Sequence, residues 1–264
     1  IYQHLGIKTM EELEEAVKKG EVHELEGFGE KTEENILKNI NSYQERSKEH
    51  RFLWDEADLI AKDISHYLQK SNSIHKLDLA GSYRRRKETV GDLDVLMTSP
   101  HPSKVMEFIK KFSNIREVVS LGKTKSSFVL NSFMQVDVRV VPEESFGAAL
   151  HYFTGSKSHN VEVRRRGVER GYKINEYGVF HNETRVAGKT EEEVYKSVDL
   201  TYIPPELREN TGEIEAAAEN KLPKLIDKEQ LKGDLHAHST YTDGNNTLAE
   251  MAEAARSMGY EYLA

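Results

Sequence analysis

"GSYRRRKETVGDLDVLMTS", residues 81–99, decides the fold. Its second half, "GDLDVLM", reads as a strand in which Leu93 and Val95, then Leu96 and Met97, call for burial, while Asp92 and Asp94 sit one residue apart. Side chains alternate faces along a strand, so the two carboxylates point the same way, with Cβ atoms roughly 6–7 Å apart. Two like charges so placed repel and cost stability unless something neutralises them. A third carboxylate has the same setting. In "MQVDVRVV", residues 134–141, Val136, Val138 and Val140 face one way while Asp137 and Arg139 face the other. If the two strands pair, three acidic groups converge on one sheet face. All-oxygen donors of this kind suit Mg2+ or Mn2+. With substrate phosphates they can hold two ions ~3.5–4 Å apart, one for the attacking oxygen and one for the leaving oxygen. The Asp92–Asp94 pair alone also fits an exposed face of solvated residues; Asp137 and the preceding Gly81–Ser82 weigh against that. Gly81 and Ser82 follow a short strand, "HKLDLAGS", and their backbone N–H groups with the Ser82 hydroxyl can cradle a triphosphate, helped by Arg85.

The chain has 264 residues, 31% charged and 37% hydrophobic, enough for about one to three polar globular domains. It contains no cysteine, which excludes disulfides and thiolate metal sites and fits a reducing cytoplasm. No apolar run approaches the ~18 residues of a membrane span, and no signal-peptide pattern opens the chain. The formal charge of −8 is unevenly spread: residues 46–205 carry 26 Lys/Arg against 22 Asp/Glu, with cations clustered at Arg84–Lys87 and Arg164–Arg166. Such local patches are what a phosphate backbone feels within a Debye length. The chain starts without methionine and ends inside a strand-like run, "GYEYLA", so it reads as a fragment of a longer protein.

Residues 1–45 are helical by pattern, broken at "LEGFGEKTEENILKNI". Gly27 and Gly29 flank Phe28 there, and Thr32 can cap the next helix. Such a hairpin exposes N–H groups that can hold a DNA phosphate, and it equally fits an ordinary helix corner. Residues 51–70 place Leu53, Ala57, Ile60, Ala61, Ile64 and Leu68 on one helical stripe. "HPSKVMEFIKKF" reads as a helix capped by Ser103, and "SSFVLNS" with "MQVDVRVV" as a hairpin around Asn131 and Ser132. Residues 206–230 are acidic and polar, as in a linker between domains. A new unit opens at "LKGDLHAHSTYTDG", where His236 and His238 at i and i+2 on a strand, with Asp243, have metal-ligand spacing.

"GSYRRRKETVGDLDVL", "VDVRVV" and "YFTGSKSHN" resemble, in order and spacing, the palm and nucleotide-binding motifs of family X DNA polymerases, and "GFGEKTEENI" resembles that family's helix-hairpin-helix. "GDLHAHSTYTDG" resembles the first metal motif of PHP phosphoesterase domains, which follow the polymerase core in bacterial and archaeal members. The resemblance implies an α+β fold with five parts. These are a helix-hairpin-helix fingers region (1–48), a nucleotidyltransferase palm (49–141), a small α/β thumb (142–205), a linker (206–230) and the first strand and helix of a PHP domain (231–264). It implies that Asp92, Asp94 and Asp137 are the metal ligands, that Asp137 accepts the primer 3′-hydroxyl proton and that Arg139 orients the carboxylates. Arg51, Gly81, Ser82, Arg85 and Gly91 would serve the triphosphate, and Tyr152, Phe153, Thr154, Gly155 and Ser156 would pack on the incoming sugar. Asn160 would contact the nucleotide and Arg164 the template side. Gly27, Phe28, Gly29, Lys31 and Thr32 would hold DNA, and His236, His238 and Asp243 would ligate Zn2+ or Mn2+ in a complete PHP domain.

Arg86 stands where the family has glycine, which raises the question of how the loop turns. No upstream lyase-like domain is expected, and so short a PHP segment should lack the exonuclease activity of the full-length protein. The reading that follows is a cytoplasmic, monomeric, template-directed DNA polymerase for short-gap repair, acting on gapped or primer-template DNA and dNTP with two Mg2+ or Mn2+ ions. The alternatives are a template-independent nucleotidyltransferase, a PHP metal-dependent phosphoesterase whose palm only grips DNA, and a non-catalytic DNA-binding module.

Overall fold

A computed structural model describes residues 5–7, 10–25, 28–29, 32, 36 and 51–264, and divides into one compact unit ending at Asn220 and a second from Lys221 onward. In the first, helix α1 (Met10–Lys18) buries Ala16 and Val17 in a small core with Val22, joined by Leu5, Ile7, Leu13, Phe28 and Ile36. Of the hairpin expected to hold DNA, Gly27 and Lys31 lie outside the described residues. Phe28 packs on this small core, and Thr32 donates its backbone N–H to the Gly29 carbonyl at 2.8 Å.

The centre of the unit is a five-stranded sheet. Strand β1 (Phe52–Leu53) enters helix α2 (Trp54–Leu68); β2 (Lys76–Leu79), the single-turn helix α3 (Gly81–Arg84), β3 (Thr89–Val90) and β4 (Asp92–Thr98) follow. Helix α4 (Pro102–Ile109) then leads to β5 (Ile115–Leu121), β6 (Lys125–Leu130) and β7 (Gln135–Val141). The sheet order is β2-β4-β7-β6-β5, with β4 and β7 parallel and the other neighbours antiparallel. Leu93, Val95 and Met97 join Val136, Val138 and Val140 on one face, against Ala57, Ala61, Ile64 and Leu68 of α2 and Val105, Met106 and Ile109 of α4. Each of these valine, leucine, isoleucine or methionine side chains removed from water contributes about 1.5–3 kcal/mol.

Two local expectations are corrected. Leu53 is exposed, because it precedes α2, donating its N–H to the Glu56 carboxylate (2.9 Å) rather than extending the buried stripe. Helix α4 begins with Pro102 after His101, so Ser103 lies inside the first turn; a proline there has its φ preset and no N–H to leave unpaired.

After a 3₁₀ turn (Glu143–Ser145), helix α5 (Phe146–Thr154) lays Ala149 and Leu150 on the opposite sheet face, over Leu96 and Val141. Helix α6 (Lys157–Glu169) and a three-stranded antiparallel sheet of β8 (Tyr172–Asn175), β9 (Gly178–His181) and β10 (Thr184–Ala187) follow. Helix α7 (Glu191–Ser197), a 3₁₀ turn (Pro205–Leu207) and α8 (Glu213–Ala218) complete the unit. The opening of the stretch read as a linker is built into this body: Arg208 and Ile214 are fully buried, and the unit runs to Asn220.

The second unit pairs β11 (Gly233–Asp234) in parallel with β12 (Tyr262–Leu263) around helix α9 (Leu248–Ser257), whose cap Thr247 accepts the Glu250 N–H. His236 and His238 lie beyond β11 in irregular backbone and not on a strand as expected, because β11 ends at Asp234. Among the described residues no helix is long and apolar enough to cross a membrane.

A buried ion network binds the distant segments of the first unit. Glu191 at the start of α7 accepts Arg84 on both oxygens (2.9 and 2.8 Å) and also Arg208 (2.5 Å). Burial alone would raise the Glu191 carboxyl, but the bonds and charges of the two arginines outweigh it and hold it down at about 2, against an ordinary 4.5. A carboxylate held below its unfolded value stabilises the fold above pH 4.5, and that stabilisation is lost as pH falls towards 2. Replacing Glu191 by Gln leaves the buried Arg208 and the part-buried Arg84 guanidinium groups uncompensated. It should cost about 3–5 kcal/mol of unfolding free energy at pH 7, read from the denaturant midpoint, with a flatter acid limb than the parent.

Candidate active site

The parallel register of β4 and β7 sets Asp94 directly beside Asp137, and Asp92 beside Gln135. All lie on the face opposite the valine core. Helix α5 covers only the far part of that face, over Leu96 and Val141, and the carboxylates stand beyond its edge. Asp92, Asp94 and Asp137 are each partly buried. Burial, then the charges of Asp92 and Asp137, push the Asp94 carboxyl up to about 7, against the opposing pull of Arg139 and Arg85. Asp92 is raised as well, by burial and by Asp137, with Arg51 opposing. The three thus sense one another, as the alternation of the sequence required. They do not close into a shell by themselves: among the described residues no three His, Asp or Glu side chains are gathered tightly enough to hold an ion unaided.

Arg139 makes no ion pair with the carboxylates. Its guanidinium stacks on the Phe153 ring at 4.2 Å, and its Nε is buried without a hydrogen-bond partner, so it acts on Asp94 through space. The direct neighbour of Asp137 is Gln135, whose Nε2 donates to Asp137 Oδ1 at 3.4 Å. Ser127 of β6, buried, faces Asp137 in register from the other side.

Gly81 opens α3 with φ +66°, and a Cβ there would stand 2.6 Å from Asp94 Oδ2. Only glycine lets this backbone, with Ser82 next to it, approach the carboxylate so closely. The basic run then splits three ways. Arg84 turns inward to Glu191 and donates to Thr154 Oγ1 (2.9 Å). Arg85 donates from Nη1 to the Thr154 carbonyl (2.8 Å) and from Nε to Glu209 (2.7 Å). Arg86 reaches outward over the Trp54 ring, 5.1 Å from its centre. Arg86 also takes the left-handed backbone that glycine would favour, at φ +53°, so the loop keeps its turn and bears about 1–2 kcal/mol of strain.

Of the segment expected against the sugar, Tyr152, Phe153 and Thr154 end α5, while Gly155 and Ser156 make the turn into α6, with Ser156 capping it by accepting the His159 N–H (3.1 Å). Asn160 is buried and donates to the Tyr152 and Gly155 carbonyls (2.7 and 3.1 Å), shaping the turn from behind. A Cβ on Gly155 would lie 2.5 Å from Asn160 Oδ1. Arg164 is exposed on α6 and bonds back to the Asn160 carbonyl (3.3 Å). Arg51 is exposed, bonded to Thr89, and lies 3.1 Å from where a Gly91 Cβ would stand.

In the second unit His236 and His238 stack at 4.9 Å and share a ring-nitrogen contact of 2.8 Å, and Asp243 bonds the other nitrogen of His238 (2.5 Å).

Sequence reasoning missed Gln135, Glu191 and Glu209. Gln135 had a readable signal, since it alternates with Val136 on the strand of Asp137; the two glutamates sit in charge runs where nothing marks them out. The raised Asp94 gives a direct test. Its carboxyl must ionise against burial and two neighbours, so folding loses stability as pH rises from about 4 through 7. In buffer free of divalent cations, Asp94→Asn should raise unfolding stability at pH 8 by roughly 2–4 kcal/mol and change it little at pH 4, measured by thermal melts at both pH values.

Comparison with known proteins adds a family to this geometry. The profile of the DNA polymerase beta thumb matches residues 149–209, from within α5 through Glu209. The chain is 41% identical over its whole length to "DNA polymerase/3'-5' exonuclease PolX" of Bacillus subtilis (strain 168), and spans 46% of that protein. It is 30% identical over 139 residues to "Repair DNA polymerase X" of an African swine fever virus isolate, covering 48% of this chain and 78% of the viral protein. Two further viral isolates match at 30% and 29% identity over the same share of each chain. With the thumb match over residues 149–209 and 30% identity to a viral repair DNA polymerase X of which 78% is covered, this chain belongs to the family X DNA polymerases.

Proposed function

We propose that the chain carries the core of a template-directed DNA polymerase that fills short gaps during repair, joining a dNMP to a primer 3′-hydroxyl and releasing pyrophosphate. The observation that carries this reading is the trio Asp92, Asp94 and Asp137 on one open sheet face, with Asp94 pushed up to about 7 by burial and by the charges of its two neighbours. Such crowding is the signature of carboxylates arranged for a cation. The donors are all hard oxygens, which fits Mg2+ or Mn2+, and their open arrangement leaves room for phosphate oxygens and water around each ion. When bound, the two ions supply charge neutralisation at the attacking and leaving oxygens.

The chain's own groups do the rest. Asp137, steadied by Gln135, accepts the proton of the primer hydroxyl. The Gly81–Ser82 backbone, the Ser82 hydroxyl and Arg85 bind the triphosphate, and Arg51 beside Gly91 adds positive charge at its edge. Tyr152 to Ser156 pack against the sugar, in a turn that Asn160 holds in shape, while Arg164 faces the template. Positioning and charge are what phosphoryl transfer requires, and no covalent intermediate is needed. In this reading residues 1–48 are the fingers region with a helix-hairpin-helix gripping DNA, 49–141 the palm and 142–205 the thumb, and the protein works as a cytoplasmic monomer. His236, His238 and Asp243 contribute to a metal-dependent exonuclease site of the whole protein, a reading supported by the 3'-5' exonuclease in the name of the Bacillus relative and by the contact of His238 with Asp243.

The test is extension of a primer on a one-nucleotide-gapped duplex, with each dNTP supplied singly in Mg2+ or Mn2+. The complementary nucleotide alone should be added, and Asp137→Ala should reduce the rate by at least about two orders of magnitude with gapped DNA still bound. Addition of any nucleotide regardless of template overturns the reading in favour of a template-independent transferase.

A further inference from the structure

Arg85, the residue that caps α3, reaches towards the carboxylates, yet its Nε is already engaged by an anion of the protein itself. Glu209 Oε1 stands 2.7 Å from Arg85 Nε and 3.4 Å from Lys87 Nζ. The carboxylate is not a loose surface group. Its residue donates its N–H to the Leu207 carbonyl (2.8 Å), and its own carbonyl accepts the Ser158 hydroxyl (3.1 Å). The preceding Arg208 carbonyl accepts the Ser156 N–H (3.0 Å), and the N–H groups of Asn210 and Thr211 are both tied to Glu213 at 2.7 Å. Glu213 is in turn held by buried His159 (2.7 Å). A pinned strap therefore presents one negative charge to two cations, on the segment that also holds Ser156.

We propose that Glu209 is an internal counter-anion that occupies Arg85 and Lys87 until the phosphates of an incoming nucleotide displace it, and so sets both nucleotide affinity and the preference for polyphosphates. This rests on the polymerase reading above. Arg85 and Glu209 are only 13% and 24% exposed, so the contact is weakly screened and a ligand must outcompete it. A ligand that binds only when its partners are released has its affinity reduced by the fraction of protein already in the released state. A triphosphate brings several charges to the same cations and can exceed one carboxylate, whereas a monophosphate offers little more than Glu209 does. The carboxylate thereby filters for polyanions and keeps Arg85 extended towards the site when no nucleotide is bound.

The experiment compares the parent chain with Glu209→Gln, Arg85→Gln and the double variant. It measures equilibrium binding of a dNTP, a dNMP and inorganic tripolyphosphate, and KM and kcat on gapped duplex. Glu209→Gln should tighten dNTP and tripolyphosphate binding about three- to tenfold, lower KM in parallel, leave kcat within about twofold and narrow the preference for dNTP over dNMP. In the Arg85→Gln background the same substitution should give no gain. Thermal melts verify folding, and Glu209→Asp, which shortens the reach, should shift affinity in the same direction by less. Unchanged or weaker dNTP binding in both Glu209 variants, or a gain that persists without Arg85, overturns the proposal while the polymerase reading stands. If the parent itself neither binds dNTP nor extends the primer, the polymerase reading falls and this inference with it.

Discussion

The parallel pairing of β4 with β7 is the constraint on which the rest of the first unit depends. It places Asp94 and Asp137 on adjacent strands, about 4.8 Å apart in the backbone, with Asp92 two residues away on the same face. Nothing about three carboxylates favours that arrangement; burial and then the charges of Asp92 and Asp137 push Asp94 up to about 7. The opposite face enforces it. Leu93, Val95, Met97, Val136, Val138 and Val140 are all buried under α2 and α4, and a slip of one residue would exchange that apolar set for the acidic one. The core thus fixes the register, and the register imposes the repulsion. The site is a local cost carried by the packing behind it, as perturbed carboxylates at functional positions commonly are.

The cations around this face differ in partner and exposure. Arg84 is enclosed between Glu191 and Thr154 and serves the fold. Arg85 is shared between Thr154 and Glu209, near enough to Asp94 to oppose its rise. Arg86 and Lys87 reach solvent. These neighbours diverge because Arg84 ends the single-turn helix α3, Arg85 is its C-cap and Arg86 turns the backbone into the left-handed region at φ +53°. Arg139 is placed differently: stacking on Phe153 holds its charge close to the carboxylates without neutralising any of them.

Much of this was legible in the sequence because it rests on period-two patterning. Asp92 and Asp94 alternating with Leu93 and Val95, and Asp137 among Val136, Val138 and Val140, are enough to predict a shared face once the strands pair, and the hairpin at Asn131 and Ser132 brings β6 to β7. The helical stripe of α2 was readable for the same reason, except at Leu53, where the helix had not yet begun. What escaped was whatever depended on long-range partners. Glu191, 107 residues from Arg84, and Glu209, 124 residues from Arg85, look like ordinary surface acids in sequence. The acidic tone of residues 206–220 reads as linker only until Arg208 and Ile214 are seen to be buried, because composition carries no information about which charges find a partner. His236 and His238 were placed on a strand by their i, i+2 spacing, but a spacing rule cannot say where the two-residue strand β11 stops.

Thr154 shows how such long-range contacts turn a fold into a site. It is the last residue of α5, fully buried, and it receives Arg84 on its hydroxyl and Arg85 on its carbonyl. Helix α5 is itself fixed against the sheet through Leu96 and Val141, the residues next along the carboxylate face. At α5's other end, a Cβ on Gly147 would run into the Thr190 backbone, so α7 packs closely enough to bring Glu191 to Arg84. Gly81 then closes the circuit, because its missing Cβ lets α3 lie against Asp94. Each step depends on close approach, twice secured by a glycine and twice by an arginine spanning two segments. The carboxylates, the Gly81–Ser82 turn and residues 152–156 therefore share one rigid frame. A disturbance at any joint reaches the others through packed contacts rather than through the chain between them.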